Sequence, residues 1–250
     1  MTDNIIERTI IVPAYSEAAC IESTLSRLHT YCKEHGWLDN TELIVVTADA
    51  EDGTPHIVAA AIKKFPHHQH LQPGKRVGKG RDVRIGLQAA RGRLAIFTDA
   101  DLATPPHHLA PAFELLAQHG GMVIGIRRLS VMHKTLLRRM SSVFSNLLIR
   151  SVVGWDITDS QCGFKGFTAD TARQITSVAT VNNWGFDFEY IAIARRRSIP
   201  ITTLPIHDWT DPKSAEQNLT GDSQLGAMWS TFKELRQVSR NVRKGLYDAQ

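Results

Sequence analysis

Leu94-Ala95-Ile96-Phe97-Thr98-Asp99-Ala100-Asp101 is the stretch that decides how this chain folds. Five strand-favouring or apolar residues run straight into two carboxylates, and Thr104-Pro105-Pro106 then blocks any continuation. Residues at i and i+2 leave a strand end on the same side. Two carboxylates held that close repel unless a cation sits beside them. Few, hard oxygen ligands suit Mg²⁺ or Mn²⁺, which complete their shell with water and a substrate diphosphate.

Working outward, Thr9-Ile10-Ile11-Val12 is a β-branched run stopped by Pro13. Ser16 stands where a helix N-cap belongs, and Ile21, Leu25, Leu28 and Cys32 recur at helical spacing up to Gly36. Leu43-Ile44-Val45-Val46 reads as a second buried strand, and Thr54-Pro55 opens a helix from Ile57 to Phe65. A polar, His-rich loop leads to a helix from Gly80 to Arg91, which delivers the chain to strand 94–98. Strand and helix thus alternate through the first hundred residues, the pattern of a mainly parallel α/β sheet with helices on both faces. Ligands of such sheets gather at the carboxyl ends of the strands. Pro13-Ala14-Tyr15, Asp49-Ala50-Glu51-Asp52 and Asp99-Ala100-Asp101 all fall there.

The second half reads as helix 107–118, strand 122–126, a long amphipathic helix over 134–153, and a polar turn from Asp156 to Lys165. A helix at 186–197, the strand Ile199 to Pro205 and a basic helix at 222–244 follow. With neither repeats nor a long linker, the expected organisation is one domain over 1–250. Within it two halves are expected, 1–104 and 105–250.

Composition narrows the function. A chain of 250 residues, 42% apolar and 22% charged, can bury a substantial core. No apolar run reaches the roughly 18 residues of a membrane span. Three widely spaced cysteines suggest neither a disulfide framework nor a zinc knuckle. A cytoplasmic location is expected, with peripheral attachment to the inner membrane face. The net charge of +4 is unevenly spread: from Met122 to Trp155 there is no acid, while Arg127, Arg128, Lys134, Arg138, Arg139 and Arg150 cluster there. Such a block attracts phosphate, and over 134–153 it accompanies an apolar stripe that can lie in a membrane interface or pack on the sheet. No RNA-reading aromatic motif accompanies it, so nucleic acid is not expected as a partner. Gly74 to Gly80 is no P-loop, being one residue short and ending in Gly80 instead of a hydroxyl residue. It reads as a glycine turn bringing Lys79 and a helix start towards phosphates. His67, His68, His70, His107 and His108 lack neighbouring Cys or acidic partners and read as solvated surface residues.

Five stretches together carry a resemblance. They are Ile11-Val12-Pro13-Ala14-Tyr15-Ser16-Glu17, Gly78-Lys79-Gly80, the run from Phe97 to Pro105, Asp159-Ser160-Gln161-Cys162-Gly163-Phe164-Lys165, and Gly185-Phe186-Asp187-Phe188-Glu189. In this order, and nearly end to end, the chain resembles inverting family-2 glycosyltransferases of the GT-A fold. The branch is the one that glycosylates dolichyl or polyprenyl phosphate, on its dolichyl-phosphate β-glucosyltransferase side. The resemblance implies donor-binding by Pro13, Ala14, Tyr15, Glu17, Asp99 and Ala100; the glycine turn adds Lys79, and Asp49, with Asp52 as the alternative, is the candidate where the chain departs from the family. The resemblance also implies metal-binding by Asp99 and Asp101, and catalytic roles for Asp101 and Asp159. It makes 1–104 the nucleotide-sugar-binding half and 105–250 the acceptor-binding half.

Arg127, Arg128 and Arg139 are the candidates for the acceptor phosphate. An ionised lipid phosphate needs no strong base, so Asp159 serves to orient the acceptor or an arginine. Asp187 and Glu189 lie about 200° apart on a helix, so only one can face the site. The expected reaction moves a hexose, glucose from UDP-glucose, onto an isoprenoid phosphate with Mg²⁺ or Mn²⁺. A soluble acceptor, or nucleotide-sugar binding without catalysis, remains open. One departure from the family is Thr47-Ala48-Asp49-Ala50-Glu51-Asp52, where paired acids and a glycine usually stand. Another is Arg81-Asp82, which replaces small residues after Gly80.

Overall fold

A computed structural model describes residues 5–127, 150, 154–210 and 221–248. The amphipathic stretch 134–153, with Arg128 and Arg139, lies almost wholly outside the described residues.

The central strands form where the sequence is most apolar. Strand β1 (Arg8–Ala14) pairs in parallel with β2 (Thr41–Thr47), whose seven residues are all buried, and with β4 (Leu94–Thr98). Side chains alternate across the sheet even in the apolar centres of these strands. Ile10, Val12, Leu43 and Val45 pack on one face with Leu25 and Leu28 of α1 (Ile21–Glu34), Val58 of α2 (Thr54–Ala61) and Phe113 of α4 (Leu109–His119). Ile11, Ile44 and Val46 pack on the other face with Val83 of α3 (Lys79–Ala89). That second core also takes in Ile175 of α5 (Ala169–Thr176), Phe186 of α6 (Phe186–Arg196) and Val238 of α7 (Gly221–Arg243).

Seven strands make one sheet in the order β3-β2-β1-β4-β6-β5-β7, with β3 at His67–Leu71, β5 at Met122–Arg127, β6 at Phe164–Thr168 and β7 at Ile201–Ile206. Only β6 runs antiparallel, against both β4 and β5. The chain winds outward from β1 to β3, then returns to lay β4 on the other flank of β1. The strand order therefore reverses between β1 and β4, the place where open α/β sheets bind ligands.

Three sequence expectations change. The His-rich segment is an edge strand, not a loop; its side chains are only partly buried, so no apolar pattern marks it. The supposed turn to Lys165 stops earlier, because Phe164 already enters β6. Ser16 caps no helix: it adopts φ +54°, and α1 starts at Ile21, after the Glu17 carbonyl accepts from the Cys20 and Ile21 N–H groups.

Candidate active site

The turns after β1 and β4 meet at the switch point, and both are strained. Ser16 and Leu102 are two of the three non-glycine residues with positive φ among those described. Such conformations cost of order 1–3 kcal/mol each and persist only where the surroundings hold them. Here they do. Thr24 on α1 donates its hydroxyl to the Ala100 carbonyl at 2.5 Å, the Ala103 N–H donates to Asp101 Oδ1 at 3.0 Å, and the Leu102 N–H to the Asp99 carbonyl at 3.1 Å. On the facing turn, Thr54 Oγ1 accepts from the Glu17 N–H at 2.9 Å, and the Asp52 carboxylate from the Ala18 N–H at 3.0 Å.

Between them lies a cavity of about 550 Å³. Its walls include Pro13, Ala14, Tyr15 and Glu17 from the first turn, Asp99, Ala100 and Asp101 from the second, and Lys79 from the start of α3. Eight of the residues singled out by sequence thus share one chamber. Asp49 is not in its lining: it is exposed, and its N–H donates to the Gly74 carbonyl. Asp52, three residues on, is engaged by Ala18 and Thr54.

Sequence reasoning missed Arg76, Asp82, Trp184 and Ser16 as lining residues. The Arg76 guanidinium stacks on Tyr15 at 4.1 Å, and the Lys79 ammonium lies 5.4 Å from the Trp184 ring. Gly80 explains how the remote Trp184 arrives. A Cβ at that position would meet Phe186 Cβ at 2.6 Å and the Asn183 carbonyl at 2.8 Å, so only glycine lets the start of α3 approach the 183–186 segment. Asp82, in the cavity wall, is pushed up to about 6 by burial, against the pull of Arg81 and Arg76.

Two ion pairs are electrostatically coupled at the cavity wall. Lys79 pairs with Asp99, and Lys165 on β6 pairs with Asp187 at the start of α6. Burial alone would lower Lys79, but Asp99, then Asp187 and Asp101, outweigh it and raise it, so the ammonium stays charged. Asp187 is raised by burial, which Lys165 and Lys79 only partly offset. Glu189 turns the other way, accepting from the Thr180 and Val181 N–H groups and the Tyr247 hydroxyl. Of the two acids on this helix, Asp187 turns towards Lys165 and the field of Lys79 while Glu189 points away, in keeping with their angular separation, and neither lines the cavity.

Asp159 lies across a fork from Arg127, whose Nε and Nη2 donate to it at 2.6 and 3.0 Å, with the Gln161 N–H at 3.2 Å. Burial would raise this carboxyl, yet the guanidinium fork holds it below the ordinary carboxylate range. It is a poor base and a firm anchor. The Arg127 guanidinium also lies 5.0 Å from the Trp209 ring.

The sheet order and the acid pair at its switch point define the class, and it is GT-A. Glucosyl-3-phosphoglycerate synthase from Mycobacterium tuberculosis, solved with phosphoglyceric acid, superposes with a TM-score of 0.69 at 17% identity, over 93% of this chain and 79% of that one. The same enzyme solved with Mn²⁺, UDP and glucosyl-3-phosphoglycerate gives 0.67 at 18%, over 98% and 81%. The family model for glycosyl transferase family 2 matches residues 9–176, and the chain belongs to that family. It is a glycosyltransferase. Dolichyl-phosphate beta-glucosyltransferase of Drosophila melanogaster is 31% identical, covering 82% of this chain and 68% of its own length. Dolichyl-phosphate beta-glucosyltransferase ALG5D of Trichomonas vaginalis is 29% identical over 85% and 68%. Among the described residues no helix is long and apolar enough to cross a membrane.

Proposed function

We propose that this glycosyltransferase moves glucose from UDP-glucose to a polyprenyl or dolichyl phosphate, with inversion at the anomeric carbon, as a peripheral protein at the cytoplasmic membrane face. The single observation carrying the proposal is the convergence of Asp99, Asp101 and Lys79 on one cavity at the switch between β1 and β4. The names of the relatives at 26–31% identity support the choice of sugar and acceptor.

The donor set fits a divalent cation. The carboxylates of Asp99 and Asp101 border a chamber with room for a diphosphate, the oxygen-rich surroundings that Mg²⁺ and Mn²⁺ require. Held by Asp99 and Asp101, such an ion would offset charge on the leaving nucleoside diphosphate. The chain supplies the rest. Tyr15 with its stacked Arg76 offers a π surface for the base, and the Lys79 ammonium faces the phosphates. Asp159 keeps Arg127 aimed from the end of β5, on the acceptor side. An oxygen of the ionised acceptor phosphate attacks the anomeric carbon, the bond to the diphosphate breaks, and UDP carries off the electron pair. No proton has to be removed, which agrees with the low basicity of Asp159. In this scheme residues 1–104, joined by Trp184, handle the donor and the rest of 105–250 the acceptor. On α7, exposed Trp229 and Phe232 stack at 6.0 Å beside exposed Lys233 and Arg236, a surface suited to an anionic bilayer.

The test is a panel of nucleotide sugars assayed by nucleoside-diphosphate release, with Mn²⁺, in the presence of polyprenyl phosphate, a soluble phosphorylated acceptor, or neither. Release from UDP-glucose that depends on polyprenyl phosphate is expected. Release driven only by the soluble acceptor would refute the lipid assignment.

Gly163 sets a further expectation. A Cβ there would fall 1.9 Å from Asp99 Oδ2. Because the obstacle is a side-chain end, Gly163→Ala should displace the carboxylate and leave the sheet intact. Initial rates should fall about 100-fold, as for a small misplacement of reacting groups, with little change in Tm. Equal rates would show that Asp99 needs no fixed position.

Asp82 gives a pH signature. Its folded value near 6 stands above the usual 3.8, so ionisation is disfavoured in the folded state. Stability is lost as pH rises from about 4 through 6. Asp82→Asn should therefore raise stability by up to about 2 kcal/mol at pH 8, with the gain vanishing near pH 4. Urea titrations at both pH values measure it; a gain equal at both would contradict the assignment.

A further inference from the structure

His107 and His108, expected to be solvated and without acidic neighbours, share one carboxylate. His107 Nε2 lies 3.0 Å from Asp208 Oδ2, and His108 Nε2 lies 2.6 Å from Asp208 Oδ1. The rings lie side by side with centroids 4.3 Å apart, and the two nitrogens and a carboxylate oxygen are all within 4.8 Å of one another. None of the three lines the donor cavity.

Their arrangement is fixed by the fold. Pro105 and Pro106 set the single 3₁₀ turn 106–108 that projects both imidazoles, and His108 is buried against the core. Asp208 follows β7, and two residues on the Thr210 N–H donates to the Ala103 carbonyl at 3.0 Å, tying the two segments together. The pairing of both nitrogens with one carboxylate also demands particular ring tautomers, or protonation, to hold without a cation.

We propose that His107, His108 and Asp208 form a second cation site, separate from the acid pair, that takes a borderline divalent transition ion of the Zn²⁺ class. Two imidazoles and one carboxylate match the ligand preference of Zn²⁺ and Co²⁺, with the remaining positions left to water. Mg²⁺ is a poor occupant, since it prefers an all-oxygen shell. The bound ion clamps the segment after β7 to the segment after Asp101. That brace reaches Trp209, and through it Arg127, so the site buttresses the acceptor side.

The test is Co²⁺ titration of the full-length protein, followed by visible absorption, in a Asp99→Asn/Asp101→Asn background with millimolar Mg²⁺ and no sugar donor. Saturable d–d absorption at one equivalent is expected, displaced by Zn²⁺. Adding His107→Ala, an exposed position whose loss leaves the metal-free Tm unchanged, should weaken Co²⁺ binding by more than about tenfold. Absence of saturable absorption in that background overturns the proposal, and so does affinity unchanged by His107→Ala. Because the readout is binding without turnover, it is independent of which acceptor the enzyme uses.

Discussion

Asp101→Asn is expected to lower kcat/KM for glycosyl transfer by about 1,000-fold, the loss expected when the hold on a cation that would offset leaving-group charge is weakened. Asparagine is the informative replacement. Its amide oxygen can still accept the Ala103 N–H that fixes the turn, so the strained Leu102 backbone and the Ala100–Thr24 bond stay in place. The variant removes charge without removing shape. Tm should move by no more than a degree or two, and the defect should lie in kcat more than in KM. A variant that keeps near-full rates would separate Asp101 from catalysis.

Lys165→Met is the largest expected loss of stability, about 3–5 kcal/mol. Lys165 and Asp187 are both buried, and Lys165 also donates to the Cys162 carbonyl at 2.6 Å. Removing the cation strands an uncompensated carboxylate in the core, whereas replacing both partners by apolar residues is often near neutral. At 2–4 °C per kcal/mol for a chain this long, the single variant should melt roughly 10 °C lower. Lys165→Met/Asp187→Leu should recover most of that. The sign with pH follows from Asp187: its carboxyl is already raised by burial, so the deficit shrinks as acid neutralises it. Guanidinium denaturation at pH 5 and pH 8 measures both effects. A double variant as unstable as the single one would show that packing, not charge, is what Lys165 provides.

The sequence told most where chemistry and apolar periodicity coincide. Ile10 to Val12, Leu43 to Val46 and Leu94 to Thr98 are buried strands in the structure because their residues suit a sheet covered on both faces. The α1 stripe of Ile21, Leu25, Leu28 and Cys32 is the buried face of that helix. What escaped was strand β3, whose His-rich face is half-solvated, and β6, whose first residues Phe164 and Lys165 read as the end of a polar turn. Lys165 is tolerated there only because Asp187 arrives from a helix 22 residues later, and a short-range pattern cannot encode that.

The same limit shaped the site. Residues on the two turns at the strand ends were legible because the strands that launch them were. Trp184 reaches the cavity through a loop that packs against glycines far away in sequence, and no spacing rule announces it. Arg76 was a cation in plain view within the glycine turn, but only the stack on Tyr15 reveals its use. Asp49 follows β2 on the far side of β1 from β4, and its neighbour Asp52 organises the turn after β1.

Anomalous diffraction at the manganese edge, from crystals soaked with UDP-glucose and Mn²⁺, decides whether Asp99 and Asp101 hold a cation beside the donor. The expected result is an anomalous peak beside Asp99 and Asp101, with the Lys79 ammonium moved from Asp99 to a phosphate oxygen. A donor seated in the cavity with no manganese beside the two aspartates would contradict it.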